Sequence, residues 1–167
     1  MSTLEVNKIT PISGGTTVTL GDSGDTFNLA SGATAGFGKI GQVVQNGFSN
    51  AGSVTSTSWV NVNSNINTSI TPTATSSKIL ISLSLGVYPS NGYLSIFKDS
   101  SNLFGNNGFL RMYTNNDTGV TVSFNYLDSP STTSSVTYMF YARLISGTFY
   151  YNNDVEIGTM TLQEILA

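Results

Sequence analysis

Cysteine and histidine are both absent from this chain of 167 residues, and charged side chains make up only 9% of it. A typical globular protein has about a quarter. Without cysteine there is no disulfide, thiolate metal ligand or thiol nucleophile, and without histidine there is no imidazole base and no Ser-His-Asp triad. Six basic residues and a net charge of −3 argue against nucleic-acid binding. We therefore expect no cofactor, no metal and no nucleic-acid partner.

Long apolar runs are absent too. The chain has no stretch of about 18 apolar residues, so we expect no membrane insertion. Its first residues, Met-Ser-Thr-Leu-Glu-Val, have neither the basic nor the apolar region of a signal peptide, which predicts folding in a cytoplasm. Instead the chain is rich in Ser, Thr and Asn, which supply more than a third of it, and 39% of its residues are hydrophobic. That apolar content is enough for a folded domain whose surface relies on hydroxyls and amides rather than on charge.

A nine-residue repeat occupies most of the first 38 residues. Residues 9–17, 18–26 and 27–35 each begin with an apolar side chain and carry a Ser-Gly pair near the middle. Each repeat predicts two short strands around a glycine turn, and such a unit is marginal alone in water. We therefore predict a self-associating stalk over residues 1–38, with a flexible leader as the alternative. The apolar positions expected to be buried between three chains are Val18, Leu20, Phe27 and Leu29.

Residues 39–167 show a different pattern, in which short apolar-polar alternations are separated by Asn-Gly, Ser-Pro and Ser-Gly turns. This pattern predicts about nine or ten strands and only minor helix. The clearest strands are expected at 78–85 and 136–143. Evenly spaced short strands of this kind are typical of an antiparallel, jelly-roll-like β-sandwich. The sequence thus predicts an all-β chain with a repetitive stalk (1–38) and a sandwich head (39–167), assembled as a trimer.

Two segments of the head, 136–143 and 148–151, carry aromatic residues on both faces. A strand that is buried on one side only is normally polar on the other. The pattern therefore indicates that the outer face is also covered, most economically by a neighbouring subunit. Ordinary surface tyrosines are the alternative.

Two predicted turns, 86–92 and 113–119, are rich in Tyr, Asn and Asp. Tyrosine rings can stack on sugar faces, while amides and carboxylates can hydrogen-bond sugar hydroxyls. The same residues also favour turns for purely local reasons. The residues that we single out as candidate contacts to a host-surface glycan are Tyr88, Asn91, Tyr113, Asn115, Asn116 and Asp117.

Enzymatic motifs are weak. Residues 21–24, Gly-Asp-Ser-Gly, resemble a protease nucleophile motif but have no histidine base. Asp22 and Asp25 are too few for a calcium site unless three copies combine. The acids of the head fall mostly in predicted turns, where they are solvated: Asp99, Asp117, Asp128, Asp154, Glu156 and Glu164. We therefore expect no enzymatic activity, and a glycan-degrading role would need a convergent pair of acids.

Several longer motifs, taken together, point to one class of protein. They are residues 4–27 (LEVNKITPISGGTTVTLGDSGDTF), 42–45 (QVVQ), 57–60 (TSWV), 69–81 (SITPTATSSKILI), 127–134 (LDSPSTTS) and 161–165 (TLQEI). In these segments the chain resembles short fibre-like structural proteins of marine bacteriophages. The resemblance implies a homotrimeric virion appendage that is held by another virion protein through its N-terminal segment. It also implies a head that faces a host cell-surface polysaccharide or protein.

Two locations in a virion stay open from the sequence. The first is a tail fibre or spike whose head attaches to the host surface. The second is a capsid decoration protein, a cement or head fibre, that uses the same trimer to clamp the shell. In both cases the expected location is the virion, after synthesis in the host cytoplasm.

Overall fold

The head is built almost entirely from β-strands. The computed structural model describes residues 39–113, 118–152 and 157–166; the stalk, with Val18, Leu20, Phe27 and Leu29, lies outside the described residues, so the repeat and its contacts stay predictions. The described residues form twelve strands and two short 3-10 turns, and they contain no α-helix. The strands are β1 (Lys39–Phe48), β2 (Gly52–Val54), β3 (Val60–Asn61), β4 (Thr68–Ile70), β5 (Lys78–Tyr88), β6 (Asn91–Lys98), β7 (Ser101–Asn102), β8 (Leu110–Met112), β9 (Val120–Asp128), β10 (Val136–Ser146), β11 (Phe149–Tyr151) and β12 (Gly158–Leu166).

These strands form two antiparallel sheets. In the first sheet the order is β1-β12-β5-β9, with β11 and then β2 continuing beside the end of β5. In the second sheet β3 and β4 pair with β10, β10 pairs with β6, and β6 pairs with β7 and β8. The prediction of an all-β head with antiparallel sheets is confirmed.

The long strands bury the alternating residues that the sequence indicates. On β5 the side chains of Ile79, Ile81, Leu83 and Leu85 are buried, whereas those between them are at least partly exposed. The reason is that successive side chains of a strand point to opposite faces. β10 and β12 alternate in the same way, and the inner faces of both sheets enclose one apolar core. Each fully buried side chain of this type contributes about 1.5–3 kcal/mol to folding.

The two long sides of the sandwich are closed by different chemistry. On the β9 side an aromatic cluster joins the sheets: Phe109 stacks on Phe124 at 4.1 Å between ring centres, and Phe104 meets Phe124 edge-on at 5.5 Å. On the β1 side the sheets are joined by hydrogen bonds from side-chain amides. Gln42 Nε2 donates to the carbonyl oxygen of Thr71 and Asn46 Nδ2 to that of Asn67, each at 2.7 Å.

The two ends of the sandwich are distinguished by which strands begin and end there. Lys39, the first described residue, pairs with Leu166, and the neighbouring strand β5 also begins at this end, which we call the base. β5 reaches the other end at Tyr88, and β6 starts there at Asn91 after a two-residue turn. We call that end the tip. At about 3.3 Å per residue, the length of β5 separates base and tip by about 33 Å.

Candidate recognition site

Three of the six predicted contact residues lie among the described residues, and all three are at the tip. Tyr88 is the last residue of β5, Asn91 is the first of β6, and Tyr113 follows β8 with 73% of its side chain exposed. The other three, Asn115, Asn116 and Asp117, lie outside the described residues.

The fold brings together two of these residues and separates the third. Gly92 of β6 pairs with Met112 of β8, so Asn91 and Tyr113 are each one residue further toward the tip on adjacent antiparallel strands of the second sheet. Tyr88 belongs to the first sheet, where it pairs with Tyr150, which is 44% exposed. The predicted site is therefore divided between two sheets.

Next to Asn91 and Tyr113 lies a row of three residues that are not among the six predicted contacts. Tyr93 of β6 is directly opposite Arg111 of β8 on one side and Arg143 of β10 on the other. The guanidinium carbons of Arg143 and Arg111 lie 4.9 Å and 5.7 Å from the centre of the Tyr93 ring. We refer to Arg111, Tyr93 and Arg143 as the arginine row.

The arginine row is held in place by its surroundings. The guanidinium carbon of Arg143 also lies 5.3 Å from the centre of the Trp59 ring, and Arg143 Nη2 donates to the carbonyl oxygen of Asn106 at 2.8 Å. Cation–π contacts of this kind are worth about 0.5–2 kcal/mol each. The alternation along β6 and β10 indicates that Tyr93 and Arg143 point outward, but no sequence signal places Arg111 of β8 beside them.

The electrostatics of the row favour a negatively charged partner. Within the described residues, neither arginine lies within the 4.0 Å of a carboxylate oxygen that defines a salt bridge, and the ion pair found there is between Lys98 and Asp128, near the base. Two buried donors of this region, Trp59 Nε1 and Arg143 Nε, have no hydrogen-bond partner among the described residues. The row therefore places two positive charges on one face of the second sheet.

The same face shows what covers the outward aromatics of β10. Tyr141 stacks on Phe97 of the neighbouring strand at 3.9 Å between ring centres, and Phe97 in turn contacts Trp59 at 5.9 Å. For residues 136–143, rings of the same chain therefore cover part of the outer face. Sequence periodicity could not distinguish this arrangement from cover by a neighbouring subunit.

One acid of the head, Asp128, links the two sheets at the base. Its Oδ2 atom accepts hydrogen bonds from Lys98 Nζ at 3.0 Å and from the Tyr138 hydroxyl at 2.7 Å. Burial, together with this hydrogen bond, raises the pKa of Tyr138 above its ordinary value. Tyr138 therefore stays neutral and acts as a donor to the carboxylate.

A second acid, Glu164, is fully buried in β12. A bulge in β1 sets Gly41 and Gln42 opposite it, and Gln42 Nε2 donates to Oε2 at 2.7 Å. The amide and hydroxyl of Thr73 donate to Oε1 at 2.6 Å and 2.8 Å. Burial raises the pKa of Glu164, but the hydrogen bonds from Gln42 and Thr73 outweigh it, and this pKa is lowered to about 2.

The sequence predicts that most acids of the head lie in solvated turns, but these two acids do not. Asp128 and Glu164 are buried at strand positions, and protein donors occupy the carboxylate oxygens described above. The signal in the sequence was their phase, since Asp128 shares the inward period of two with Val122 and Phe124, and Glu164 shares it with Met160 and Leu162. Among residues 39–113, 118–152 and 157–166, no group of three or more Asp, Glu, His or Cys side chains is placed to hold a metal ion.

The comparisons with known proteins do not assign this chain to a family. Within the part of the chain that the structure describes, no helix has the length and apolar character needed to cross a membrane. No model of a protein family matches the chain, and no curated protein matches it at a significant level. A function must therefore be inferred from the chain's own residues and from their arrangement at the tip and the base.

Proposed function

We propose that this chain is a structural protein of a bacteriophage virion, a homotrimeric tail fibre or spike whose C-terminal head attaches to the host surface. The observation that carries this proposal is that the two ends of the head differ. The chain enters at the base, at Lys39, whereas Asn91, Tyr113 and the arginine row cluster toward the opposite end. A head that is tethered at one end and carries polar and aromatic groups at the other suits contact with a distant surface.

The order of the strands supports a jelly roll as the class of the head. Taking β3 with β4 and β7 with β8, eight segments remain beside β2 and β11: the first pairs with the eighth, the second with the seventh, the third with the sixth and the fourth with the fifth. This is the pairing obtained when a long hairpin is rolled into two sheets. Jelly rolls occur in viral capsid and lectin domains, and this likeness is an analogy at the level of fold.

An exposed apolar patch supports self-association at the base. On the outer face of the first sheet, Ile40, Val43 and Leu127 are 57%, 55% and 45% exposed. The partly buried Leu80 and Ile165 lie among them, since Leu80 pairs with Leu127 and Ile165 with Ile40. Ile40 of this patch follows the first described residue, Lys39, so joining three chains through their N-terminal segments would favour contact between three such patches. We assign the patch to contact with a second copy of the chain.

Sedimentation of the full chain at micromolar concentration tests the proposal. We expect a trimer. We also expect the double variant Phe27→Asp, Leu29→Asp to dissociate while the head keeps its circular-dichroism spectrum, because each of these side chains is worth about 1.5–3 kcal/mol when buried. A wild-type chain that is a stable monomer would overturn the trimer, and a double variant that stays trimeric would overturn the stalk.

Cryo-electron microscopy of the virion tests the location. Density for the head on the tail, with its tip facing outward, is the expected result. Density at three-fold positions of the capsid would instead establish the decoration protein that the sequence also allows.

A further inference from the structure

We propose that the arginine row, with Asn91 and Tyr113 beside it, is a binding site for an acidic saccharide, one that carries carboxylate or sulfate groups on its sugar rings. This inference rests on the proposed attachment function and names the class of ligand that the tip would recognise. The charge, the ring surface and the rigidity of these residues support it.

The charge is unusual for this chain. Only six residues of 167 are basic, and two of them stand on either side of the Tyr93 ring in one row. An arginine keeps its charge at any physiological pH, and its planar fork of donors fits the two oxygens of a carboxylate or sulfate. Among the described residues, no carboxylate lies within 4.0 Å of either guanidinium, so no described acid competes with a ligand anion there.

The rings and amides supply the remaining contacts. Tyr113 is 73% exposed next to Arg111, so its ring face is accessible to the apolar face of a sugar. Asn91 begins the neighbouring strand, and its side-chain amide nitrogen can donate to sugar hydroxyls. An oxyanion alone would need only the arginines, whereas this combination fits an anion attached to a polyhydroxylated ring.

The rigidity of the site lowers the entropic cost of binding. Arg143 is fixed between the Trp59 and Tyr93 rings and by its hydrogen bond to the Asn106 carbonyl oxygen. A group already held in place loses little side-chain freedom when a ligand binds.

Calorimetric titration of the full chain tests the site with three defined octasaccharides. Hyaluronan carries carboxylates only, chondroitin sulfate carries carboxylates and sulfates, and maltooctaose is neutral. We expect the acidic sugars to bind, more weakly as salt is raised, and maltooctaose not to bind. Binding of hyaluronan would identify carboxylate as sufficient, and binding of chondroitin sulfate alone would identify sulfate as the recognised group.

Matched variants locate the binding on the molecule. Arg111→Gln removes an exposed charge of the row and is expected to weaken binding about tenfold, the loss of one charge-assisted hydrogen bond. Arg143→Lys keeps the charge but loses the planar fork, and it should also weaken binding. The control is Lys78→Gln, which removes the same charge from an exposed position of the first sheet.

Three results would overturn the inference. They are equal affinity for the acidic and neutral sugars, no binding of any of the three, and equal loss of affinity in Arg111→Gln and Lys78→Gln. None of these affects the oligomeric state, which the same samples report by sedimentation. A trimer that binds no acidic sugar therefore refutes the ligand and leaves the proposed function standing, whereas a monomer refutes the proposed function itself.

Discussion

Few polar side chains are buried among the described residues of the head, and Glu164 is the clearest case. Its carboxylate has no cation beside it among the described residues, and amide and hydroxyl donors from Gln42 and Thr73 compensate its charge. Hydrogen bonds to a charged group contribute about 1.5–3 kcal/mol each when the group is buried. The ionised form is therefore part of the folded structure at the base.

The stability of the head should depend on the ionisation of Glu164. Its pKa is lowered from 4.5 to about 2 on folding. Its contribution is thus fully present above pH 4.5 and is lost as the pH falls through about 2. We expect Glu164→Gln to lower the free energy of unfolding at pH 7 by about 2 kcal/mol and to flatten its decline in acid. Urea denaturation between pH 7 and pH 2.5 measures both effects.

An acid that is exposed at the same end provides the control for this experiment. Asp99→Asn keeps an acceptor for the Thr137 amide, and asparagine tolerates the positive φ of 51° at this position. This variant should change stability by less than about 0.5 kcal/mol. Parallel acid profiles for wild type and Glu164→Gln would show that the carboxylate is not the titrating group.

At the scale of elements, the aromatic cluster holds β9 to the second sheet. Phe109 stacks on Phe124, and Phe104 packs edge-on against Tyr126 at 4.8 Å between ring centres. Such pairs add about 0.5–1.5 kcal/mol beyond the apolar area that they bury. No strand pairing joins β9 to the second sheet, so on this side of the sandwich the contact between the sheets depends on the aromatic side chains.

Removing one ring from the cluster should loosen this side of the sandwich. We expect Phe109→Ala to lower the free energy of unfolding by about 2–3 kcal/mol, because Phe109 is only partly buried. Thermal denaturation measures this change. The matched control is Tyr113→Ala, which removes an exposed ring and should cost less than about 0.5 kcal/mol. Equal losses in the two variants would mean that the stacking in the cluster adds no stability.

The strands of the head show which features can be predicted from the sequence and which cannot. The strands around residues 78–85 and 136–143 were predictable because one buried face imposes a period of two. The division of the predicted site was not, since Tyr88 and Asn91 are three residues apart but belong to different sheets. The arginine row was not predictable either, because Arg111 and Arg143 are brought together by strand register rather than by sequence distance.

At the scale of the whole molecule, the apolar patch and the predicted stalk should act together. The patch includes Ile40, which is adjacent in sequence to the first described residue of the head, so we expect copies joined by their N-terminal segments to meet there first. The patch is small, and the stalk is expected to supply most of the free energy of association. Contact between heads at the base would then be a consequence of trimer formation and not its cause.

Cross-linking through a single introduced cysteine can detect this contact, because the natural chain has none. We expect Val43→Cys in the full chain to give covalent dimers with a short bismaleimide under dilute conditions. Ser123→Cys, an exposed position on β9 further toward the tip, should give few. A trimer in which both variants react equally would show that the heads do not meet at this patch.

The hydrogen bonds from the Gln42 and Asn46 side-chain amides of β1 affect how copies of the chain can associate. β1 is a long strand at the edge of its sheet, and a bare edge can recruit a strand from another molecule and start aggregation. The bulge at Gly41 and Gln42 and the side-chain hydrogen bonds to residues 67 and 71 make this edge irregular and tie it to the second sheet. Copies crowded into an assembly are thereby kept from growing into a continuous sheet, and they are left to associate through faces that can stop at a fixed number.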